Sequence, residues 1–266
     1  MDGKAWRLRR ITDPRDGKTV ILPLDHGLTM GPIHGLVSPA AVLTRLRHEG
    51  PDAVILHKGL VRYLPQDLDP AMGLIIHLSA ATDLSPQGSK VLVTGVDRAL
   101  AMGADGVSVH VNFSGPKEPD MLADLGRVAD RCLALGMPLL VMAYLRGGTL
   151  AEDDPKGLAT AARACAELGA DLVKLPWPGS AEALAEIVAG CPVGIVMAGG
   201  SRQVGPEGLE SRVEAALAAG AVGVAAGRNV FQDPDPPRVL RQLMLLVHRP
   251  SESFTHPLPV AMSVGS

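Results

Sequence analysis

Rings are scarce in this chain: two Trp, two Tyr and three Phe among 266 residues. An aromatic-rich all-β sandwich is therefore disfavoured, and the core must be aliphatic. Charge is sparse too, at 20% Asp, Glu, Lys and Arg against 47% hydrophobic residues, a balance that argues against disorder. With 25 Lys and Arg against 28 Asp and Glu, there is no basic surplus to hold nucleic acid. The three cysteines, Cys132, Cys165 and Cys191, are too few and too widely spaced for a disulfide framework or a CxxC metal knuckle, and read as small packing residues. No apolar run approaches the ~18 residues that span a bilayer, and MDGKAWRLRRITDPRDGKT lacks the apolar segment and cleavage site of a signal peptide. The expectation is a soluble protein of a reducing cytoplasm, with neither membrane nor nucleic acid as partner.

What is present is a rhythm. Eight short apolar runs, most rich in β-branched residues, recur at 19–25 (TVILPLD), 53–58 (AVILHK), 73–79 (GLIIHLS), 106–112 (GVSVHVN), 138–144 (PLLVMAY), 171–177 (DLVKLPW), 193–199 (VGIVMAG) and 222–228 (VGVAAGR). Helical stretches at 38–50, 95–103, 120–136, 155–169, 180–190 and 206–220 separate them, with only 59–72 irregular. The helix-to-strand junction echoes itself as EGPDAVILH (49–57), MGADGVSVH (102–110), LGADLVKLP (168–176) and AGAVGVAAG (219–227), a glycine stopping each helix just before the strand. Strands that are apolar on both faces need helices outside a parallel sheet. Eight such units in about 230 residues fit one (β/α)8 TIM barrel. The expected layout is that α/β barrel over 1–248, opened by a packing segment with Trp6 and RLRR (7–10), then a loosely ordered tail over 249–266. An open doubly wound sheet is the alternative, but the first run leads into DHGLTMGPIHG, whose glycines lack the GxGxxG spacing.

Barrel chemistry gathers at the C-terminal ends of the strands, and polar residues concentrate there. Lys174 lies inside the apolar run DLVKLPW, where desolvation favours the neutral, nucleophilic form of an amine that adds to a ketone as a Schiff base. A structural lysine paired with a buried carboxylate is the competing reading. Lys58, one step beyond its strand, is assigned to charge balance or substrate contact. Asp25 and Tyr144 end their strands where they could carry the protons that Schiff-base chemistry needs. The runs AGGS (198–201) and AAGRN (225–229) place Gly199, Gly200, Ser201, Gly227 and Arg228 in the two loops where barrels commonly hold phosphate. His26, His57, His77 and His110 could instead form a zinc site, but no HxH or HxxxH pair occurs and hydrogen-bonding roles are preferred, so no metal is expected.

These motifs resemble the DhnA-type class I aldolases, the archaeal-type fructose-bisphosphate aldolase group, and most of all the branch that contains 2-amino-3,7-dideoxy-D-threo-hept-6-ulosonate synthase. The likeness runs from about Leu8 to His248 through LPLDHGLTMGPIHGL (22–36), VILHKGLVR (54–62), GLIIHLS (73–79), VSVHVN (107–112), MAYLRG (142–147), LVK (172–174), MAGG (197–200) and AAGRNVFQ (225–232). It implies a cofactor-free aldolase with Lys174 as the Schiff-base lysine, Tyr144 as proton donor, Asp25 as proton acceptor, and phosphate on Gly199, Gly200, Gly227 and Arg228. His26, Lys58, His110, Arg146, Trp177 and Ser201 are expected to complete the substrate site. The implied partners are a phosphorylated ketose, such as dihydroxyacetone phosphate or a deoxyketohexose phosphate, and an aldehyde, with aspartate semialdehyde the favoured acceptor. Aminobenzoate or aromatic biosynthesis is the implied destination, and a homo-oligomer, often a decamer, the implied assembly. Fructose-bisphosphate cleavage is the alternative enzyme, and a catalytically silent phosphosugar-binding barrel the alternative outside catalysis. Where relatives carry a small hydroxylated residue or a second lysine followed by Tyr and Gly, this chain has LPWPG (175–179), expected to stiffen the pocket wall and alter specificity.

Overall fold

The computed structural model describes residues 3–64, 66, 69–84, 89–201 and 208–249. The expected tail therefore lies, apart from Arg249, outside the described residues. Each of the eight apolar runs forms a strand: β1 (Thr19–Pro23), β2 (Ala53–Leu56), β3 (Gly73–His77), β6 (Gly106–Phe113), β7 (Leu139–Leu145), β8 (Leu172–Leu175), β9 (Gly194–Ala198) and β10 (Gly223–Ala225). They pair in parallel and close a barrel in the order β1-β10-β9-β8-β7-β6-β3-β2. A small antiparallel hairpin, β4 (Ser79–Ala80) with β5 (Val91–Leu92), follows β3.

The helices are α1 (Gly3–Ile11), α2 (His26–Met30), α3 (Pro39–Leu46), α4 (Lys58–Val61), α5 (Val96–Ala101), α6 (Glu118–Leu135), α7 (Pro155–Glu167), α8 (Ala181–Gly190), α9 (Leu209–Ala218), α10 (Arg228–Phe231) and α11 (Pro236–Val247). Their starts follow local chemistry. Ser38, Asp154, Ser180 and Asp235 each accept a hydrogen bond from a backbone N–H of the first turn, and a proline follows three of the four. The turns α2, α4 and α10 and the hairpin had no periodic signal, being too short to carry one. α2 begins directly after Asp25, although it is only one turn long.

Strand parity sorts the core into two layers. One large cluster fills the space between strands and helices. A smaller one, including Ile21, Ala53, Ile55, Ile75, Leu140, Met142, Leu172, Val196 and Ala225, fills the barrel itself. Ile11 joins that inner cluster and Leu8 packs against it, so α1 forms the barrel's floor. Its last turn lies so close to β3 that a Cβ on Gly73 would stand 2.2 Å from the Arg10 carbonyl oxygen.

The echoed junctions now acquire a function. Asp52, Asp105 and Asp171 each sit just before a strand and accept the backbone N–H of Val20, Leu74 or Leu139 at the start of the preceding one. Each also meets a cation or histidine: Asp171 with Lys4 at 3.0 Å, Asp105 with Arg10 at 2.6 Å, Asp52 with His248 at 2.9 Å. Three of the four echoes thus tie the floor and the last helix to the bottom edge of the barrel; in the fourth, Val222 replaces the acid.

His248, at the end of α11, also contacts Asp16 at 2.9 Å. Burial acts against its charge, but hydrogen bonds and attraction from Asp52 and Asp16 prevail and raise its pKa to about 9. Because this lies above the unfolded value of about 6.5, the contribution is fully present below pH ~6.5 and lost as pH rises through about 9. After allowance for solvent screening it is on the order of 1 kcal/mol. Melting curves of the wild type should fall by about 2–4 °C between pH 6 and 9.5 on this account. A His248→Asn variant that shows the same fall would refute it.

Candidate active site

The inward file that is apolar at the floor turns polar at the mouth. Along β7 it reads Leu140, Met142, Tyr144; along β8, Leu172, Lys174; along β2 and β3, Ile55 then His57, and Ile75 then His77. Lys174 is 7% exposed, and its register neighbours are Met142 on β7 and Val196 on β9. Asp25 stands two residues past β1 at the start of α2, without a side-chain capping bond to it. Burial pushes its carboxyl up, but the charges of His77, His26, Lys174 and His57 outweigh that and hold it at about 2. A common electrostatic neighbourhood therefore joins Asp25 and Lys174.

The histidines, charged only in acid, form an uncharged lining at neutral pH. His77 shares a 2.8 Å hydrogen bond with Ser108 and meets the His57 ring edge-on at 5.2 Å. Burial lowers His77 to about 4 and pushes His57 and His26 down as well. His110, held well below the ordinary range by burial, donates from Nε2 to Asn112 Oδ1 at 2.7 Å and stacks on Tyr144 at 4.9 Å. The Arg146 guanidinium covers the same ring at 4.6 Å while pairing with Glu152. Tyr144 is thus clamped between an imidazole and a guanidinium, which fixes where its hydroxyl points.

Across the mouth, Asn229 donates to the Gly199 and Gly200 carbonyls at 2.8 and 3.3 Å, tying the β9 loop to α10. Gly200 has φ +71°, a conformation that L side chains rarely adopt. A Cβ on Gly227 would stand 2.6 Å from the Pro23 carbonyl oxygen and 2.7 Å from His26 Cε1. Around this glycine, His26 Nδ1 and Arg228 Nε are buried without a hydrogen-bond partner among the described residues. His26 Nδ1 lies 3.5 Å from Asp25 Oδ1. Buried polar atoms of this kind call for a ligand or a special role. Ser201 is exposed at the edge of the described segment.

Two sequence-derived expectations move. Lys58 is exposed and donates to the Val93 carbonyl, beside the hairpin, which assigns its ammonium to a backbone partner. Trp177 is half-buried and packs against the outer cluster, as the parity that turns Lys174 inward turns Leu175 outward. The rim histidines are not among the described groups whose three ligating atoms lie within 4.8 Å of one another. Asp13, Asp16 and His248 are, at the opposite end, where His248 is already bonded to acids. Sequence reasoning missed Ser108, Asn229 and Lys90; Ser108, in the VSVHVN run, and Asn229, in the AAGRN run, lay within quoted motifs, and Lys90 lay in none.

Residues 19–233 match the family described as DeoC/LacD family aldolase. A 2-amino-3,7-dideoxy-D-threo-hept-6-ulosonate synthase 1 of Archaeoglobus fulgidus is 43% identical over 93% of this chain and 92% of that one. A 2-amino-4,5-dihydroxy-6-oxo-7-(phosphonooxy)heptanoate synthase of Streptomyces griseus is 38% identical over 99% of this chain and 97% of that one. A solved structure of a Schiff-base-forming fructose-1,6-bisphosphate aldolase is similar over 93% of this chain and all of that one, with 30% identity and a TM-score of 0.85. Among the described residues no helix is long and apolar enough to cross a membrane.

Proposed function

The chain belongs to the DeoC/LacD family of aldolases, and on that premise we propose that it condenses dihydroxyacetone phosphate, or a deoxyketohexose phosphate yielding a similar fragment, with aspartate semialdehyde. As a class I aldolase it works through a Schiff base on one of its own lysines and needs no cofactor. The names of the two relatives, each describing a seven-carbon amino keto acid, support the product. The observation that carries the reading is Lys174, inward-facing and 7% exposed, in the same field as Asp25.

In this reading Lys174 Nζ adds to the donor's ketone carbon, and the carbinolamine loses water after taking a proton from the Tyr144 hydroxyl. The iminium acidifies the neighbouring C–H. Ionised Asp25 removes that proton and leaves an enamine, whose carbon attacks the aldehyde. The resulting alkoxide takes up a proton, and water returned to the iminium carbon releases product and free amine. Arg228 and the Gly199, Gly200 and Gly227 backbone hold the donor phosphate, a role supported by the unpartnered Arg228 Nε.

Borohydride reduction with dihydroxyacetone phosphate should leave a mass adduct on Lys174; an adduct that persists in Lys174→Ala, or none in the wild type, sinks the assignment. The second outcome would favour a silent phosphosugar-binding barrel. Gly227→Ala should raise KM for the phosphorylated donor about tenfold or more while leaving unphosphorylated dihydroxyacetone nearly unaffected, because the added methyl displaces Pro23 and His26 from the phosphate loop. Equal losses with both donors would remove Gly227 from that role. Fructose-bisphosphate cleavage is the second reading, favoured by the structural likeness to such an aldolase. Comparing glyceraldehyde 3-phosphate with aspartate semialdehyde as acceptor decides between them. The homo-oligomer, a decamer by resemblance, and cytoplasmic residence belong to the same proposal; light scattering tests the assembly.

A further inference from the structure

A cavity of about 180 Å3 opens beside Tyr144, and its lining includes Thr29, Asp83, Lys90, Asn112, Lys117 and Arg146. Its position is informative. In the closed strand order, β3 and β6 lie across the barrel from β9 and β10, so this cavity stands opposite the glycine loops, with β8 and Lys174 on the arc between them. Arg146, over the Tyr144 ring, and Asn112, bonded to His110, connect it to the rim.

The charges are unevenly satisfied. Lys117 lies 3.4 Å from Asp120, and Arg146 pairs with Glu152 at 3.1 Å. Lys90, immediately before β5, meets the Thr29 hydroxyl at 3.5 Å and lies within the field of Asp25, Asp83 and Arg146. Burial lowers its pKa, so its charge is poorly solvated and gains from an anion. Asp83, whose backbone N–H donates to the Thr29 carbonyl, supplies the one carboxylate of the lining.

We infer that this cavity is the acceptor subsite and selects an aldehyde bearing an α-amino acid head group, with Lys90 and Arg146 receiving its carboxylate and Asp83 its ammonium. The inference rests on the aldolase reading and deepens it. A phosphate-bearing acceptor would satisfy the cations but face Asp83 with like charge, whereas a zwitterion answers both signs. The volume of about 180 Å3 suits a small acceptor.

The test measures kcat/KM with dihydroxyacetone phosphate as donor and three acceptors: aspartate semialdehyde, succinic semialdehyde, which lacks the amine, and propanal, which lacks both charges. In Lys90→Gln both carboxylate-bearing acceptors should lose about 10–100-fold and propanal less than about threefold, with Lys90→Arg recovering part of the loss. In Asp83→Asn only aspartate semialdehyde should weaken, by about tenfold, erasing its advantage over succinic semialdehyde. Equal effects on all three acceptors, no effect, or a wild-type preference for glyceraldehyde 3-phosphate would overturn the inference. The borohydride adduct with donor alone is read in parallel on each protein. A wild type without adduct defeats the aldolase reading itself, while full adduct with acceptor-blind variants defeats only the subsite.

Discussion

Lys174→Met lowers kcat by at least about 10⁴-fold and abolishes the borohydride adduct, with Tm within a few degrees of wild type. The size follows from the absence of a substitute. Schiff-base chemistry needs an amine that reaches the donor's ketone with its phosphate held across the mouth. Lys58 is exposed and bonded to the Val93 carbonyl, and Lys90 stands beside the hairpin next to Thr29. Neither shares the inward file of β8. Methionine fills a similar volume without a charge, in a position flanked by Met142 and Val196, so packing survives while the nucleophile does not. Mass spectrometry of the reduced protein, beside steady-state rates and a melting curve, checks all three statements. A variant that still turns over at a hundredth of the wild-type rate would mean that another group carries the covalent step.

Asp25→Asn separates two events that loss of the lysine merges. Lys174 should still be trapped by borohydride, since addition to the ketone does not use the carboxylate, but kcat should fall by about 10²–10⁴-fold because the iminium keeps its C–H proton. Exchange of that hydrogen with deuterated water, followed by NMR in the absence of acceptor, reports the step directly. It should disappear in the variant; undiminished exchange would transfer the role to another base. The pH dependence has a definite sign. With the Asp25 carboxyl held at about 2, the base is already ionised through the acidic and neutral range, so its protonation imposes no acid limb on kcat/KM above about pH 4. An acid limb near pH 6 that vanishes in Asp25→Asn would contradict this.

The barrel was legible because its signals are local. Each strand is a short apolar run, four of them follow a glycine-stopped helix, and the observed strands lie within or one residue beyond the predicted runs. Lys174, Asp25 and Tyr144 stood out because a polar residue at the end of an apolar strand has few other reasons to be there. Lys90 had no such frame. It follows a polar stretch of sequence and precedes a two-residue strand, and Thr29, its neighbour, lies 61 positions away. Trp177 was harder to place for a related reason. Its closeness to Lys174 in sequence pointed to the pocket, yet β8 ends at Leu175, and the ring packs against the outer cluster. The aspartates of the echoed junctions were visible as a repeat, but their partners, Lys4, Arg10 and His248, come from the chain's two ends.

The floor formed by α1 bears on what becomes of the iminium. Hydrolysis discards that intermediate, and water can approach it from only two directions along the barrel axis. Below Lys174 stand Leu172, Leu140 and then Ile11 and Leu8, and the buried hydroxyls of Thr19 and Ser108 are already bonded to the Ile11 carbonyl and to His77. Solvent must therefore come through the mouth, the same opening that the second substrate fills. A bound acceptor thus stoppers the vessel as it reacts, and the lifetime of the covalent intermediate is set by mouth occupancy rather than by leakage from beneath.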